Sequence, residues 1–141
     1  MTPLLAASAM GRCDELRTLI AQGADLSATT VDGNNALWLA AANGSLETIQ
    51  ALIDAGVEVN HRNPDGATAL IYAASAGKAE VVALLLQRGA DLAFETVDGF
   101  SACDLAANIE CLTLLRKAGP RQDRGAAGVV GPIIVARREG P

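Results

Sequence analysis

The sequence is short of aromatic residues, and this shortage bears on the fold class. Only 3% of the residues are aromatic, and the apolar half consists mainly of alanine, leucine, valine and isoleucine. Small and unbranched side chains suit closely packed helices better than a β-sandwich or barrel. No long alternating β-branched run, the usual signal of a strand, is present. The composition therefore predicts an all-α fold, in a chain whose 141 residues can bury a core.

Patterns for catalysis, cofactors and metals are also lacking. Cys13, Cys103 and Cys111 are odd in number and show no CxxC spacing, so we expect neither a disulfide framework nor a zinc site. The glycines show neither GxGxxG nor P-loop spacing, and no serine or cysteine has a companion base. We interpret the single histidine, His61, as a solvated or hydrogen-bonding loop residue rather than a general base. The sequence thus predicts a protein that is not an enzyme and has no cofactor or metal.

Basic charge is scarce and unevenly distributed. The net charge is −5, with 14 acidic and 7 basic residues over 1–119 and 2 acidic and 4 basic residues over 120–141. An acidic body argues against nucleic acid as the partner and permits a basic or polar protein. No run reaches the ~18 apolar residues that a membrane span needs, and the start of the chain lacks the basic residues of a secretion signal. Thiols in a helical core suit a reducing compartment, so we expect a cytoplasmic protein.

Three series of residues recur every 33 positions. Glycines lie at 11, 44 and 77 and again at 23, 56 and 89, and Asp-Gly pairs lie at 32–33, 65–66 and 98–99. Asp-Gly is a turn signal, because glycine tolerates positive φ and aspartate can bond its own backbone. The other glycines separate or end short helices, between which Ile49, Leu52 and Ile53 show helical spacing. Such short helices are marginal alone, so the period predicts a repeat architecture.

One segment carries a family resemblance. Residues 68–77, Thr-Ala-Leu-Ile-Tyr-Ala-Ala-Ser-Ala-Gly, followed by 81–91, Val-Val-Ala-Leu-Leu-Leu-Gln-Arg-Gly-Ala-Asp, resemble an ankyrin repeat. The resemblance implies a solenoid of stacked helix pairs with short β-hairpin fingers over residues 1–119. Its units are an N-terminal cap (2–29), two full repeats (30–62 and 63–95) and a shortened C-terminal cap (96–119).

The units depart from the family pattern at two places. In the last unit, residues 106–112 run straight through the expected turn between its helices. The histidine of the family motif is replaced by Trp38, Ile71 and Asp104. We therefore expect weaker side-chain hydrogen bonds between the fingers. Trp38 itself is expected to pack in the core or between repeats, with contact to a partner as the second interpretation.

The resemblance also implies a function, which is non-catalytic binding of another protein through the concave face by a chain that is monomeric when free. Asp32, Asp65 and Asp98 would stack as an acidic ladder, or are present only because the turn favours aspartate. Phe100 is either a binding hot spot or packs on the last unit. Carried over from the family, the partner-binding positions are Val31, Asp32, Asn34, Ala42, Asn43, Arg62, Pro64, Asp65, Ala67, Ser75, Ala76, Glu95, Val97, Asp98 and Phe100.

Residues 120–141 do not follow the repeat. We predict a flexible linker followed by a short β-branched apolar run at 129–135, with Arg137 and Arg138 behind it. The segment is either a disordered extension or a docking strand that pairs with a partner or folds back on the last unit. The second interpretation supports an alternative function, in which the chain is an ancillary or regulatory subunit of an enzyme complex and acts through this basic and apolar tail.

Overall fold

Residues 1–118 form a series of short helices in the computed structural model, which describes this part of the chain. Gly119, predicted to end the last helix, and the predicted tail 120–141 lie outside the described residues. The described helices are α1 (Pro3–Met10), α2 (Cys13–Ala21), α3 (Ala36–Asn43), α4 (Leu46–Ala55), α5 (Ala69–Ser75), α6 (Ala79–Gln87), α7 (Ala102–Leu105) and α8 (Ile109–Ala118).

The helices form pairs, and the pairs stack in chain order. Each odd-numbered helix contacts the even-numbered helix that follows it. The odd-numbered helices α1, α3, α5 and α7 also contact one another in succession, and so do α2, α4, α6 and α8. The result is two rows of helices, and the predicted all-α solenoid of stacked helix pairs is confirmed.

The first helix of each pair begins at a polar side chain. Thr2, Asn35, Thr68 and Ser101 occupy the N-cap positions of α1, α3, α5 and α7, and each accepts a hydrogen bond from the backbone N–H three residues later, at 3.0 to 3.3 Å. A cap of this kind stabilises a helix by about 1 kcal/mol. At α7 the bond is reciprocal, because the Asp104 carboxylate accepts from the Ser101 N–H at 2.9 Å.

The core lies between the two rows. Ala40, Ala41, Ala73 and Ala74 in α3 and α5 are fully buried, which lets neighbouring helices approach closely as the sequence predicted. Leucines and other aliphatic side chains fill the space between the rows. The largest of these fully buried aliphatic residues are Leu4, Leu5, Leu16, Leu37, Ile49, Leu52, Leu70, Val82, Leu85 and Leu115.

The turns between paired helices agree with the predicted glycines, except in the last pair. Gly11, Gly44 and Gly77 have φ of 68°, 86° and 74°, the left-handed conformation in which a side chain is costly. The expectation that residues 106–112 run straight through the last turn is wrong, because α7 ends at Leu105 and α8 starts at Ile109. The break is stabilised by Asn108, whose Oδ1 accepts from the Cys111 N–H at 2.9 Å.

Candidate protein-binding face

Three hairpin turns project ahead of α3, α5 and α7, and we name them finger 1 (29–35), finger 2 (62–68) and finger 3 (95–101). In each, a backbone hydrogen bond closes the turn. The bonds join Thr30 N to Asn34 O at 3.0 Å, Asn63 N to Ala67 O at 3.1 Å, and Thr96 N to Phe100 O at 2.9 Å. The glycine of each Asp-Gly pair has positive φ, between 79° and 88°. The predicted turns are therefore present.

Side chains that the sequence reasoning missed hold these turns in shape. The Asn63 Oδ1 accepts from the backbone N–H groups of Asp65 and Ala67, both at 3.0 Å. The Thr30 hydroxyl does the same in finger 1, at 3.2 and 3.3 Å, and the Thr96 hydroxyl accepts from the Phe100 N–H. The expectation that the aspartates bond their own backbone is wrong. The sequence did contain a signal for these bonds, because a residue with a side-chain hydroxyl or amide stands two positions before each aspartate.

Fingers 1 and 2 are tied together by polar contacts. The His61 Nε2 hydrogen-bonds with the Gly33 carbonyl oxygen at 2.8 Å, and the Asn63 amide donates to the Asn34 Oδ1 at 3.0 Å. Pro64 covers Gly33 so closely that a Cβ on Gly33 would lie 2.5 Å from the Pro64 Cδ. His61 therefore acts in the scaffold, as its interpretation as a hydrogen-bonding loop residue predicted.

Arg62 ties finger 2 to finger 3. Its Nε donates to the Gly66 carbonyl oxygen at 3.2 Å and its Nη2 to the Glu95 carbonyl oxygen at 2.7 Å, while its guanidinium carbon lies 5.3 Å from the centre of the Phe94 ring. The Val97 N–H also donates a hydrogen bond to the backbone carbonyl oxygen of Asp65, at 2.9 Å. The expectation that fingers without the family histidine are weakly linked needs correction, because other side chains supply the links.

These contacts place the predicted finger residues in one row. We call their surface the finger face, and it consists of Val31, Asp32, Asn34, Arg62, Pro64, Asp65, Ala67, Glu95, Val97, Asp98 and Phe100. Asn34 and Ala67 are half-buried, and the others are exposed. The remaining predicted positions, Ala42, Asn43, Ser75 and Ala76, lie at the opposite ends of α3 and α5, about one helix length or ~12 Å from the fingers.

The predicted finger residues differ in whether their polar groups already form hydrogen bonds within the protein. Arg62 and Asn34 bond within the scaffold, as described above. By contrast, the carboxylates of Asp32, Asp65 and Asp98 form no hydrogen bond or ion pair with residues 1–118. The finger face thus presents unpaired acidic groups, alongside the exposed side chains of Val31, Val97 and Phe100, the last at 47% relative exposure.

Trp38 packs between repeats, as the preferred interpretation expected. Its ring centre lies 4.4 Å from that of Tyr72 in the next unit, with the planes tilted by 40°. Its indole Nε1 is buried and has no hydrogen-bond partner in the described part of the chain. An unpaired buried N–H is costly, so Trp38 contributes through apolar packing alone.

Two cysteine thiols, Cys103 in α7 and Cys111 in α8, have shifted pKa values. Burial raises the pKa of the Cys103 thiol, with a smaller effect of the Asp104 carboxylate, and burial together with Glu110 raises the pKa of Cys111. A raised pKa leaves less of the nucleophilic thiolate. Residues 1–118 contain no group of three or more His, Cys, Asp or Glu side chains placed to hold a metal ion.

An open polar cleft of about 650 Å³ lies at the turns between paired helices. Its lining includes Lys78, Glu80 and Glu110 but no hydroxyl, thiol or imidazole side chain. None of the helices within 1–118 has the length and apolar character needed to cross a bilayer.

Comparison with known proteins agrees with this architecture. A family model described as ankyrin repeats (3 copies) matches residues 1–63 and 37–124. No curated protein matches the chain. Ankyrin repeats generally mediate protein–protein interaction, and the family is generally non-catalytic. With its stacked helix pairs and linked fingers, this chain belongs to the ankyrin-repeat family.

Proposed function

We propose that the chain binds another protein through the finger face and is itself without catalytic activity. The observation that carries this proposal is the row of unpaired carboxylates of Asp32, Asp65 and Asp98, at equivalent positions of three linked fingers. Thr30, Asn63 and Thr96 close the turns, and none of these carboxylates accepts a hydrogen bond from residues 1–118.

The fingers are also well prepared for binding. Their mutual hydrogen bonds fix their relative positions before a partner arrives, which lowers the ordering cost of association. Exposed Val31, Val97 and Phe100 offer apolar contact beside the acidic groups. A partner segment with lysine or arginine next to aliphatic or aromatic side chains would match both features. An acidic face does not match the phosphates of nucleic acid.

We extend the proposal to the organisation of the chain. Residues 1–119 are the repeat domain with unit boundaries at 30, 63 and 96, and 120–141 are a separate tail. The free protein is a monomer of the cytoplasm, where free thiols such as Cys13 persist. The helix-end positions Ala42, Asn43, Ser75 and Ala76 extend the binding face for a large partner.

Affinity capture from the native host tests the binding proposal. Wild-type protein, Asp65→Lys and Phe100→Ala are used as baits, with Glu47→Lys as a charge-matched control on α4, in the other helix row. We expect a specific partner with wild type and the control, at least tenfold less with Asp65→Lys, and weaker capture at high salt. Equal capture by all four baits would contradict the finger face as the binding surface.

The alternative function, a regulatory subunit that acts through its tail, concerns residues outside the described ones. The same capture separates it from our proposal when a chain ending at Gly119 is added as a bait. Undiminished capture by the shortened bait favours the finger face, and complete loss favours the tail. If the chain catalysed a reaction through its histidine, His61→Ala would abolish that activity, whereas we expect it only to loosen fingers 1 and 2.

A further inference from the structure

In the last described helix pair, and in the finger before it, apolar side chains are exposed at positions where the earlier repeats have half-buried residues. Ile109 is the first residue of α8 and is 74% exposed, whereas Leu46 and Ala79, the first residues of α4 and α6, are half-buried. Phe100 is likewise 47% exposed, whereas Ala67, 33 positions earlier, is half-buried. We use the name end surface for Val97, Gly99 and Phe100 on finger 3 together with Ile109, which lies at the start of α8 and is separated from the finger by the length of α7.

Finger 3 also lacks the neighbour that the other fingers have. A Cβ on Gly33 would lie 2.5 Å from the Pro64 Cδ of the next finger, and one on Gly66 would lie 3.0 Å from the Val97 N. A Cβ on Gly99 would meet no described atom within 4 Å. The outer edge of finger 3 is therefore open toward the position of a following finger.

We propose that the apolar run at residues 129–135 of this same chain covers the end surface. The end of α8 at Ala118 leads toward that surface, because the chain leaving α6 at Gln87 goes on to form finger 3 from residue 95. The ten residues 119–128 can span up to about 33 Å. The α8 helix is about 15 Å long, so the run can reach both Phe100 and Ile109.

The chemistry of the run fits this place. It reads Val-Val-Gly-Pro-Ile-Ile-Val, and its β-branched side chains favour an extended conformation beside the finger 3 edge. Residues 120–141 have an excess of two basic residues, with 4 basic against 2 acidic, while 1–119 have 14 acidic and 7 basic. A tethered segment also has an effective concentration in the mM range, far above that of most partners. This inference does not rest on the proposed function, but the two meet at Val97 and Phe100, which a partner could contact only while the run is displaced from them.

Photo-crosslinking in the full chain tests the inference. A benzophenone amino acid replaces Ile133, the protein is irradiated at low concentration, and crosslinked peptides are mapped by mass spectrometry. We expect crosslinks within one chain to residues 97–112. Ile109→Asp should lower their yield about tenfold, since one buried isoleucine has that weight.

The variants are chosen so that the fold is kept. Ile109 is exposed and stands at the start of α8, where a carboxylate favours the helix dipole. Val31→Asp is the matched control, because Val31 is an exposed aliphatic residue on finger 1, at the other end of the row. It should leave the crosslinks unchanged.

Hydrogen exchange provides a measurement without the benzophenone group. Ile133→Asp/Ile134→Asp should speed amide exchange within 97–112, whereas Ala126→Asp/Ala127→Asp, with the same added charge, should not. The proposal is overturned by crosslinks that form only between two chains, which would indicate a second copy on the end surface. Crosslinks to fingers 1 and 2, or crosslinks and exchange that no variant changes, would overturn it as well.

Discussion

Arg62 links two fingers through backbone carbonyls, and its removal should destabilise the stack measurably. In Arg62→Ala the carbonyl oxygens of Gly66 and Glu95 lose a charged donor, at 3.2 and 2.7 Å, and Phe94 loses a cation at 5.3 Å from its ring centre. A hydrogen bond to a charged group contributes about 1.5–3 kcal/mol when buried, and an exposed cation–π contact about 0.5–1 kcal/mol. Because Arg62 is exposed, solvent screening reduces these values, and we expect a total loss of about 1.5–3 kcal/mol.

Urea denaturation followed by circular dichroism and Trp38 fluorescence measures this loss. A loss of this size shifts the midpoint of unfolding by about 1 M. Arg62→Lys should recover little of it, since an ammonium group cannot reproduce the planar fork that reaches both carbonyls. Arg17→Ala is the control, because Arg17 is exposed and has no hydrogen bond or ion pair within residues 1–118. If Arg62→Ala and Arg17→Ala shift the midpoint equally, the proposed link between the fingers is wrong.

Three further predictions concern stability. Gly99→Ala should cost about 1 kcal/mol in the free energy of unfolding for its positive φ, and Gly66→Ala about twice that, because its new Cβ also meets backbone atoms of finger 3. Trp38→Phe should change stability by less than about 1 kcal/mol, since it removes an unpaired buried N–H along with apolar contact, whereas Trp38→Ala should cost about 3–5 kcal/mol. The raised pKa values of Cys103 and Cys111 mean that the unfolded chain loses thiol protons first. The contribution of these two thiols to stability should therefore be constant below about pH 8.5 and fall above it, and Cys103→Ala/Cys111→Ala should flatten this fall.

Each of these has a simple check. Equal losses for Gly66→Ala and Gly99→Ala in urea denaturation would contradict the close contact between fingers 2 and 3. A loss above about 3 kcal/mol for Trp38→Phe would indicate that the indole N–H has a partner. Stability that falls equally steeply between pH 8 and 9.5 in the double cysteine variant would assign the pH dependence to other groups.

The period of 33 residues predicted most of the fold, because the positions of the turns and helix starts depend on a few neighbouring residues. Glycines such as Gly44 take the left-handed conformation at the turns, and side chains such as Thr68 cap the helices that follow. Both signals are properties of a few adjacent residues. The break after Leu105 was missed, because the Asn108 cap that replaces the glycine turn follows a different pattern.

The candidate site could be predicted only in outline. The finger positions follow from the repeat register, and the structure leaves their three aspartates unpaired within residues 1–118. The role of Arg62 could not be read from the sequence, because one of its acceptors is a backbone carbonyl 33 residues away. A backbone oxygen gives no sequence signal. Asn63, Thr30 and Thr96, whose side chains close the turns, are residue types that favour turns. From the sequence, this role was nevertheless predicted for the adjacent Asp-Gly pairs.

Hydrogen exchange on the captured complex tests the proposed binding face most directly. The protein is measured alone and with its captured partner, and exchange is compared peptide by peptide. Binding through the finger face predicts slower exchange in 29–35, 62–68 and 95–101, with little change in α2, α4 and α6. Protection confined to those three helices, with unchanged fingers, would contradict it.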